Sequence, residues 1–375
     1  MRFLFIQPVL SYRGAERVIA SLTSSLIEQQ HQVKIIFLKK DLSLSENFFN
    51  PKIELITPPY AINILFQNNI IFTIFASFTC IYELRHARNS DVLVTDSFPC
   101  LWPSILIGQL LKKKVTWMIH SLEEFPPPNA TKIHKLYFST ILSINRLLIT
   151  KNTIAVTNSP KVTNTAHELF PKLMVTEIIP SVSQTSSQAS NDLRYGLGIG
   201  TNKVIICIGQ LHPFKNQQLA IDAIAHVTEK IPNITLILIG AGNHKQFDSH
   251  RLKNSNIIFT GQLTYAQIQE YYRITDIVLQ TAYYPEGLGL TPFEGLLFKK
   301  IPIVVEGSGA AMILKDREIG IVVKNDAKEL TDAIVAYISH PERYEYTIQN
   351  GWKYVTTQLT VKIYFEKFLQ LINSL

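Results

Sequence analysis

Cysteine is scarce in this chain of 375 residues: Cys80, Cys100 and Cys207 are the only three. They are an odd number, widely scattered, and no pair has metal-ligand or redox spacing. That excludes a disulfide framework and a zinc module, and predicts reduced thiols in a cytosolic protein. Charge is sparse as well, at 17% against 46% hydrophobic residues, which excludes wholesale disorder and leaves enough apolar side chains for full cores. Long hydrophobic runs are missing. The longest, Ile70 to Tyr82, follows Gln67, Asn68 and Asn69 and falls short of the roughly 20 residues that span a bilayer. It reads as a buried or half-buried helix, with a membrane-surface helix as the alternative. The start, Met1 to Gln7, has one positive charge and no small-residue cleavage site, so it is expected to be a first strand and not a signal peptide. Asp-x-Asp, a common way to hold a metal against a diphosphate, occurs nowhere. No basic stripe is interleaved with aromatics, which excludes nucleic acid as a partner.

What is present begins with a basic balance, net charge +7 and a pI near 9.1. Lys39-Lys40 and Lys112-Lys113-Lys114 read either as solvated loop ends or as attractors for anionic head groups or a phosphorylated acceptor. A length of 375 residues predicts two domains of ordinary size. Short apolar runs alternate with longer amphipathic patterns from end to end. The strand candidates of the first half are Phe3–Gln7, Val33–Leu38, Val92–Thr95, Val115–His120 and Thr153–Thr157, with helical segments such as Val18–Glu28 and Ile105–Leu111 between them. A polar, serine-rich stretch from Ser181 to Asp192 breaks the rhythm and reads as a linker. The rhythm restarts with Val204–Gly209, Thr235–Gly240, Asn256–Phe259, Ile277–Gln280 and Ile303–Val305, and ends in a helical pattern from Val361 to Leu375. This predicts an α/β protein of two Rossmann-like domains, each a parallel sheet with helices on both faces. The expected boundaries are 1–183 and 192–350, with a helical segment 351–375 packing back on the first domain. Ligands of such sheets bind beyond the carboxyl ends of the strands, which places the expected active site in the cleft where the two domains face each other.

Two segments stand at such strand ends. Gly209-Gln210-Leu-His-Pro-Phe-Lys215 leads from a strand to the helix from Gln217. The glycine permits a tight turn, and the lysine near a helix start can meet a phosphate as a mobile point charge. Glu286-Gly287-Leu288-Gly289-Leu290-Thr-Pro-Phe-Glu294 follows the next strand but two. Its glycines let the backbone approach a ligand, and Pro292 suits a first helical turn. Both carboxylates can accept from sugar and ribose hydroxyls, or they can complement a helix dipole.

The block Glu286-x7-Glu294 resembles the signature of family 4 glycosyltransferases of the GT-B fold. Gly209…Lys215 resembles that family's diphosphate loop, and Arg13-Gly14-Ala15-Glu16 its Gly-Gly-Ala-Glu loop. Ile239-Gly-Ala-Gly242, Phe259-Thr-Gly261 and Val156-Thr-Asn-Ser159 resemble further family turns, and His120 its histidine at a strand end. Gln210 stands where the family has arginine, Asn216 where it has glycine, and Arg13 where it has the first glycine of a pair. The resemblance implies that Lys215 neutralises the diphosphate and Glu294 binds ribose. It implies that Glu286 binds the transferred sugar, while the backbone from Gly287 to Leu290 contacts sugar and phosphate. It further implies that Gly14 and Ala15 bring a helix start near the phosphates, and that His120 contacts the donor sugar.

The implied activity is retaining, metal-independent transfer of a hexosyl or N-acetylhexosaminyl group from a nucleotide-diphosphate sugar, with no cofactor. The acceptor is a glycan or lipid-linked glycan at the inner face of the cytoplasmic membrane. Abundant Asn, Ile and Lys point to a bacterial surface polysaccharide. Three alternatives remain open from the residues themselves. A nicotinamide enzyme would use Ile239-Gly-Ala-Gly242, but Lys245 occupies the place of the third glycine. A nucleotide-sugar epimerase of the same fold and a non-catalytic sugar-nucleotide-binding subunit are the other two.

Overall fold

The computed structural model describes residues 1–7, 9–10, 14–37, 39–40, 48–57, 83–122, 131–184, 192–243, 247, 256–283 and 286–374. The apolar run from Ile70 to Tyr82, with Cys80, and Arg13 lie outside them. The chain divides into two compact units, Met1–Pro180 together with Val361–Leu375, and Ser181–Thr360.

The first unit runs β1 (Arg2–Ile6), β2 (Val9–Leu10), α1 (Gly14–Glu28), β3 (Gln32–Ile36), β4 (Lys39–Lys40), β5 (Glu54–Ile56), β6 (Val92–Thr95), α2 (Phe98–Leu111), β7 (Lys114–Ile119), α3 (Lys132–Leu148), β8 (Thr153–Thr157), α4 (Pro160–Leu169) and β9 (Met174–Glu177). Its main sheet has the order β5-β3-β1-β6-β7-β8-β9, and every pairing is parallel. The inner strands β1, β6, β7 and β8 are buried on both faces, so they read as continuous apolar runs. Successive residues still serve opposite layers. Leu4 and Ile6 belong to a cluster with Phe98, Trp117 and Phe170. Phe3 turns the other way, its ring 6.3 Å from that of Phe368 in the closing helix. α1 buries Val18, Leu22 and Leu26, one every four residues, which is the stripe a helix lays on a sheet. α2 begins at Phe98, earlier than the expected Ile105. Pro99 lies in its first turn, and Pro103 forfeits only one bond, to the carbonyl of residue 99.

The second unit runs α5 (Asp192–Gly196), β10 (Lys203–Ile208), α6 (Gln217–Lys230), β11 (Ile234–Ile239), β12 (Ile257–Gly261), α7 (Tyr265–Ile274), β13 (Ile277–Gln280), α8 (Thr291–Leu297), β14 (Ile301–Val305), α9 (Gly309–Arg317), β15 (Ile321–Val323), α10 (Ala327–Ser339) and α11 (Glu345–Gln358). Its sheet has the order β12-β11-β10-β13-β14-β15, again parallel throughout. Alternation sorts its strands between two cores: Ile205, Cys207, Leu236 and Leu238 face one helical layer, and Val204, Ile206, Ile237 and Ile239 the other.

The boundaries differ from those expected at 183 and 350. Ser181 to Ser183 belong to the second unit, because the Ser183 carbonyl accepts hydrogen bonds from Tyr265 Oη (2.8 Å) and Gln269 Nε2 (3.0 Å). Residues 351–360 belong there too. Gly351 packs so closely on Leu296 that a Cβ would stand 2.4 Å from its Cδ2, and Lys299 Nζ lies 4.6 Å from the Trp352 ring centroid. Only the closing helix, α12 (Val361–Asn373), joins the first unit, where Lys114 Nζ donates to the Ile372 carbonyl at 2.6 Å. Of the Lys112–Lys114 cluster, then, Lys114 is a tether and Lys112 a left-handed helix cap with φ 53°. No helix among the described residues is long and apolar enough to cross a membrane.

Each sheet contains a point at which strand order reverses. In the first sheet it lies between β1 and β6, and in the second between β10 and β13. Connections leave such a pair in opposite directions and open a crevice at the carboxyl ends.

Candidate active site

The switch point of the second sheet carries both motifs. After β10, Gly209 turns the chain into the loop that ends in a short 3₁₀ turn, Pro213–Lys215. His212 caps that turn through Nδ1, which accepts from the Phe214 amide at 3.4 Å. The Lys215 stem passes 3.4–3.6 Å from where a Cβ on residue 209 would stand, so the glycine gives the lysine a bare backbone to lie along. Two side chains absent from the motif hold the loop. Thr281, directly after β13, donates from Oγ1 to the Lys215 carbonyl at 2.8 Å. Gln217, buried at the start of α6, donates from Nε2 to the Gln210 carbonyl at 2.9 Å. Gln210 itself is exposed.

The loop after β13 meets this one through Glu286, whose Oε2 forms an ion pair with Lys215 Nζ. The side chains retain 17% and 35% exposure respectively, so solvent or a ligand can still reach both. The backbone beyond is locked. The Gly287 and Leu288 carbonyls accept from the amides of Gly309 and Ala310, each at 3.0 Å, so they take up donors at the start of α9. Gly289 has φ 76°, and a Cβ there would stand 2.4 Å from Gln280 Nε2. Gly289→Ala is therefore expected to cost about 1–3 kcal/mol of stability through left-handed strain and the displaced amide. For a unit of this size that lowers Tm by about 2–4 °C per kcal/mol. A melting curve coincident with the wild type would show that the loop relaxes freely.

Glu294 sits in the first turn of α8, after Pro292, as its spacing predicts. It is only 3% exposed. The Tyr272 hydroxyl donates to its Oε2 at 2.8 Å, and the Tyr272 ring stacks on Phe298 at 5.4 Å. A buried carboxylate costs stability unless hydrogen-bonded, and Tyr272 supplies such a bond while fixing the carboxylate's orientation. Sequence reading missed Tyr272, Thr281, Gln217 and Gln280. The one signal they offered was a polar side chain at the end of an apolar strand or the buried face of a helix.

Three expected site residues belong to the first unit. Gly14 and Ala15 open α1, the first exposed and the second half-buried. His120 follows β7, and its carbonyl accepts from Asn158 Nδ2 at 2.7 Å. Its ring lines a small cavity with Thr157, Asn158 and Tyr364, and its Nε2 is buried without a hydrogen-bond partner. Burial pushes the imidazole pKa down to about 4, so the ring is neutral at physiological pH. The structure thus groups Gly209, Gln210, Lys215, Glu286, Gly287, Leu288, Gly289, Leu290 and Glu294 in one unit, and Gly14, Ala15 and His120 in the other. Ile239-Gly-Ala-Gly242 is taken up by packing: the Leu211 amide donates to the Ala241 carbonyl at 2.7 Å. Among the described residues no three His, Cys, Asp or Glu side chains converge as a metal site.

Parallel sheets, paired motifs and strand-end loops of this kind have counterparts among known proteins. Residues 12–172 match the family model for Glycosyltransferase Family 4, and residues 191–354 the model for Glycosyl transferases group 1. Fold and models together define the class, a GT-B glycosyltransferase. Within that class the chain is family 4-like. Crystal structures of Anabaena HepE with UDP and with UDP-glucose cover 100% of both chains at 18% identity, with TM-scores of 0.79 and 0.78. WaaG, a glycosyltransferase involved in lipopolysaccharide biosynthesis, covers 99% of both at 15% identity, with a TM-score of 0.78. Among curated relatives, trehalose synthase of Pyrococcus horikoshii is 25% identical over 185 residues, 46% of this chain and 44% of its own length. A GDP-mannose-dependent phosphatidylinositol monomannoside mannosyltransferase of Mycolicibacterium smegmatis is 23% identical over 163 residues, 40% of this chain and 42% of its own. The matched region spans less than half the length of these curated relatives.

Proposed function

We propose that the protein is a retaining glycosyltransferase that moves a sugar from a nucleotide-diphosphate sugar to a glycan or lipid-linked acceptor. The observation that carries this reading is the Lys215–Glu286 ion pair at the second sheet's switch point. Breaking a sugar–phosphate bond leaves negative charge on the diphosphate and positive character on the anomeric carbon. A cation and a carboxylate held side by side are complementary to that separation, and preorganised charge of this kind is the largest lever on such a barrier. In this reading Lys215 meets the diphosphate, Glu286 the transferred sugar, and Glu294 the ribose hydroxyls. Gly14 and Ala15 present the start of α1 to the phosphates. A neutral His120 serves as a hydrogen-bonding contact to the sugar and not as a cation. The departing phosphate oxygen takes the acceptor's proton on the same face of the sugar, which keeps the anomeric configuration. The solved neighbours that carry UDP and UDP-glucose support a nucleotide-sugar donor. The net charge of +7 favours peripheral association with an anionic inner membrane face, where a lipid-linked precursor of a surface polysaccharide would be met.

The test is a thermal-shift panel of nucleoside diphosphates and their sugars. A ligand present at 100 times its Kd adds about 2.7 kcal/mol, a shift of several degrees. If nothing in the panel raises Tm, the reading fails. With the donor identified, transfer is expected to persist in EDTA, because the chain has no Asp-x-Asp and Lys215 supplies the positive charge. Complete loss in EDTA, restored by manganese or magnesium, would overturn metal independence.

A further inference from the structure

At the carboxyl ends of β7 and β8, within the first unit, lies a cavity of about 10 Å³, close to the space that one water needs. Its polar lining is His120, Asn158 and, from the closing helix α12, Tyr364. Asn158 is 8% exposed and Tyr364 3%. Two polar atoms of these residues are buried without a hydrogen-bond partner, His120 Nε2 and Asn158 Oδ1. Asn158 cannot remedy this by turning its amide over. Its Nδ2 donates to the His120 carbonyl at 2.7 Å, and a turned amide would set oxygen against oxygen. Asn158 Oδ1 is therefore an acceptor in need of a donor, and a buried orphan of this kind costs stability.

Polar cavities of this size, bordered by orphaned atoms, hold ordered water. We propose that one water bridges His120 Nε2, Asn158 Oδ1 and the Tyr364 hydroxyl, and that Tyr364 is a positioning residue which fixes the tautomer of His120 through it. The consequence for transfer rests on the glycosyltransferase reading, whereas the water site itself does not. Counting protons gives each bond its direction. Burial raises the Tyr364 phenol pKa, so the hydroxyl keeps its proton and donates it to the water. The water then has two protons to give, and Asn158 Oδ1 takes one. A neutral His120 carries a single ring proton. With that proton on Nδ1, Nε2 accepts the water's second proton and every donor is used. With it on Nε2, the water receives two bonds and one of its own protons stays unused in a buried place, which costs free energy. Nδ1 is thus the ring's one donor, an N–H of defined place for a sugar oxygen.

The closing helix is built to hold Tyr364 in this place. Tyr364, Phe368 and Ile372 recur every four residues and are all buried, so they share one face of α12. The Phe368 ring lies against Phe3 of β1, and Lys114 at the start of β7 holds the Ile372 carbonyl. The hydroxyl that orders the water is therefore anchored to the same sheet that carries His120.

The experiment uses the full chain without nucleotide, isotope-labelled at its histidine nitrogens. Long-range proton–nitrogen correlation NMR tells the two neutral tautomers apart, and His120→Gln identifies the His120 signals among those of the ten histidines. At neutral pH His120 is expected in the Nδ1–H form, with a nuclear Overhauser contact between a long-lived water and the Tyr364 ring protons. Tyr364→Phe removes the hydroxyl, keeps the ring, and is expected to move His120 to the Nε2–H form. With the donor found in the thermal-shift panel, Tyr364→Phe is expected to lower kcat about 2- to 10-fold, the scale of one neutral hydrogen bond, and to leave KM unchanged. A wild-type His120 in the Nε2–H form, or a wild type without the water contact, overturns the proposal even where the variant fails to fold. The Nδ1–H form in both wild type and Tyr364→Phe overturns it as well. A changed tautomer with kcat unchanged overturns the positioning role. If no nucleotide in the panel binds, the glycosyltransferase reading fails, and the tautomer measurement still decides the water site.

Discussion

Replacing Lys215 by alanine is expected to reduce turnover by at least ~100-fold, the scale of losing one preorganised stabilising group. The reason lies in the loop around it. Gln210 takes the place of the arginine that the family resemblance calls for, and its side chain is exposed and uncharged. In the proposed reading, Lys215 is then the one cation of this motif that meets the diphosphate. Its backbone carbonyl is held by Thr281 and its stem lies along the bare backbone of Gly209, so little reorganisation is needed when charge develops. The substitution also strips Glu286 of its counter-ion, which leaves a half-buried carboxylate without its charge partner. Gln210→Arg is expected to be tolerated, since a guanidinium meets a phosphate bidentately. Single-turnover transfer with the identified donor is the measurement. Rates near the wild type for Lys215→Ala would remove the lysine from the mechanism and favour a sugar-nucleotide-binding protein that performs no transfer.

Glu294→Ala is expected to weaken nucleoside diphosphate binding about 10- to 100-fold by calorimetry, the scale of hydrogen bonds to a charged group. Ribose contacts act alike in ground and transition states, so the loss should fall on affinity. Glu286→Ala should fall on turnover, because a sugar contact tightens as the bond breaks. Tyr272→Phe separates packing from recognition. It removes the hydroxyl that holds Glu294 Oε2 and keeps the ring stacked on Phe298, so it should cost affinity less than Glu294→Ala does. Unchanged affinity in Glu294→Ala would leave the ribose without its proposed partner.

The buried internal strands were readable because each is an apolar run bounded by turns; Val92–Thr95, Thr153–Thr157 and Ile277–Gln280 fall where the pattern places them. The short edge strands were not. Glu54–Ile56 and Met174–Glu177 are three and four residues long and largely exposed, so they bury too little to imprint a pattern. Ser181 to Ser183 read as linker on composition, whereas the carbonyl of Ser183 is held by two side chains more than 80 residues away. No local signal encodes such a contact.

Two alternating α/β halves and the strand-end loops bearing Lys215, Glu286 and Glu294 followed from the sequence by itself, because periodicity, glycine and proline act within a few residues. Only tertiary structure decided what those loops lean on. Thr281 under Lys215, Tyr272 on Glu294, and Gln217 beneath Gln210 are pairs brought together by strand order. Strand order depends on which faces bury most completely across a whole sheet. That is a global balance of packing and hydrogen bonding, which no window of neighbouring residues contains.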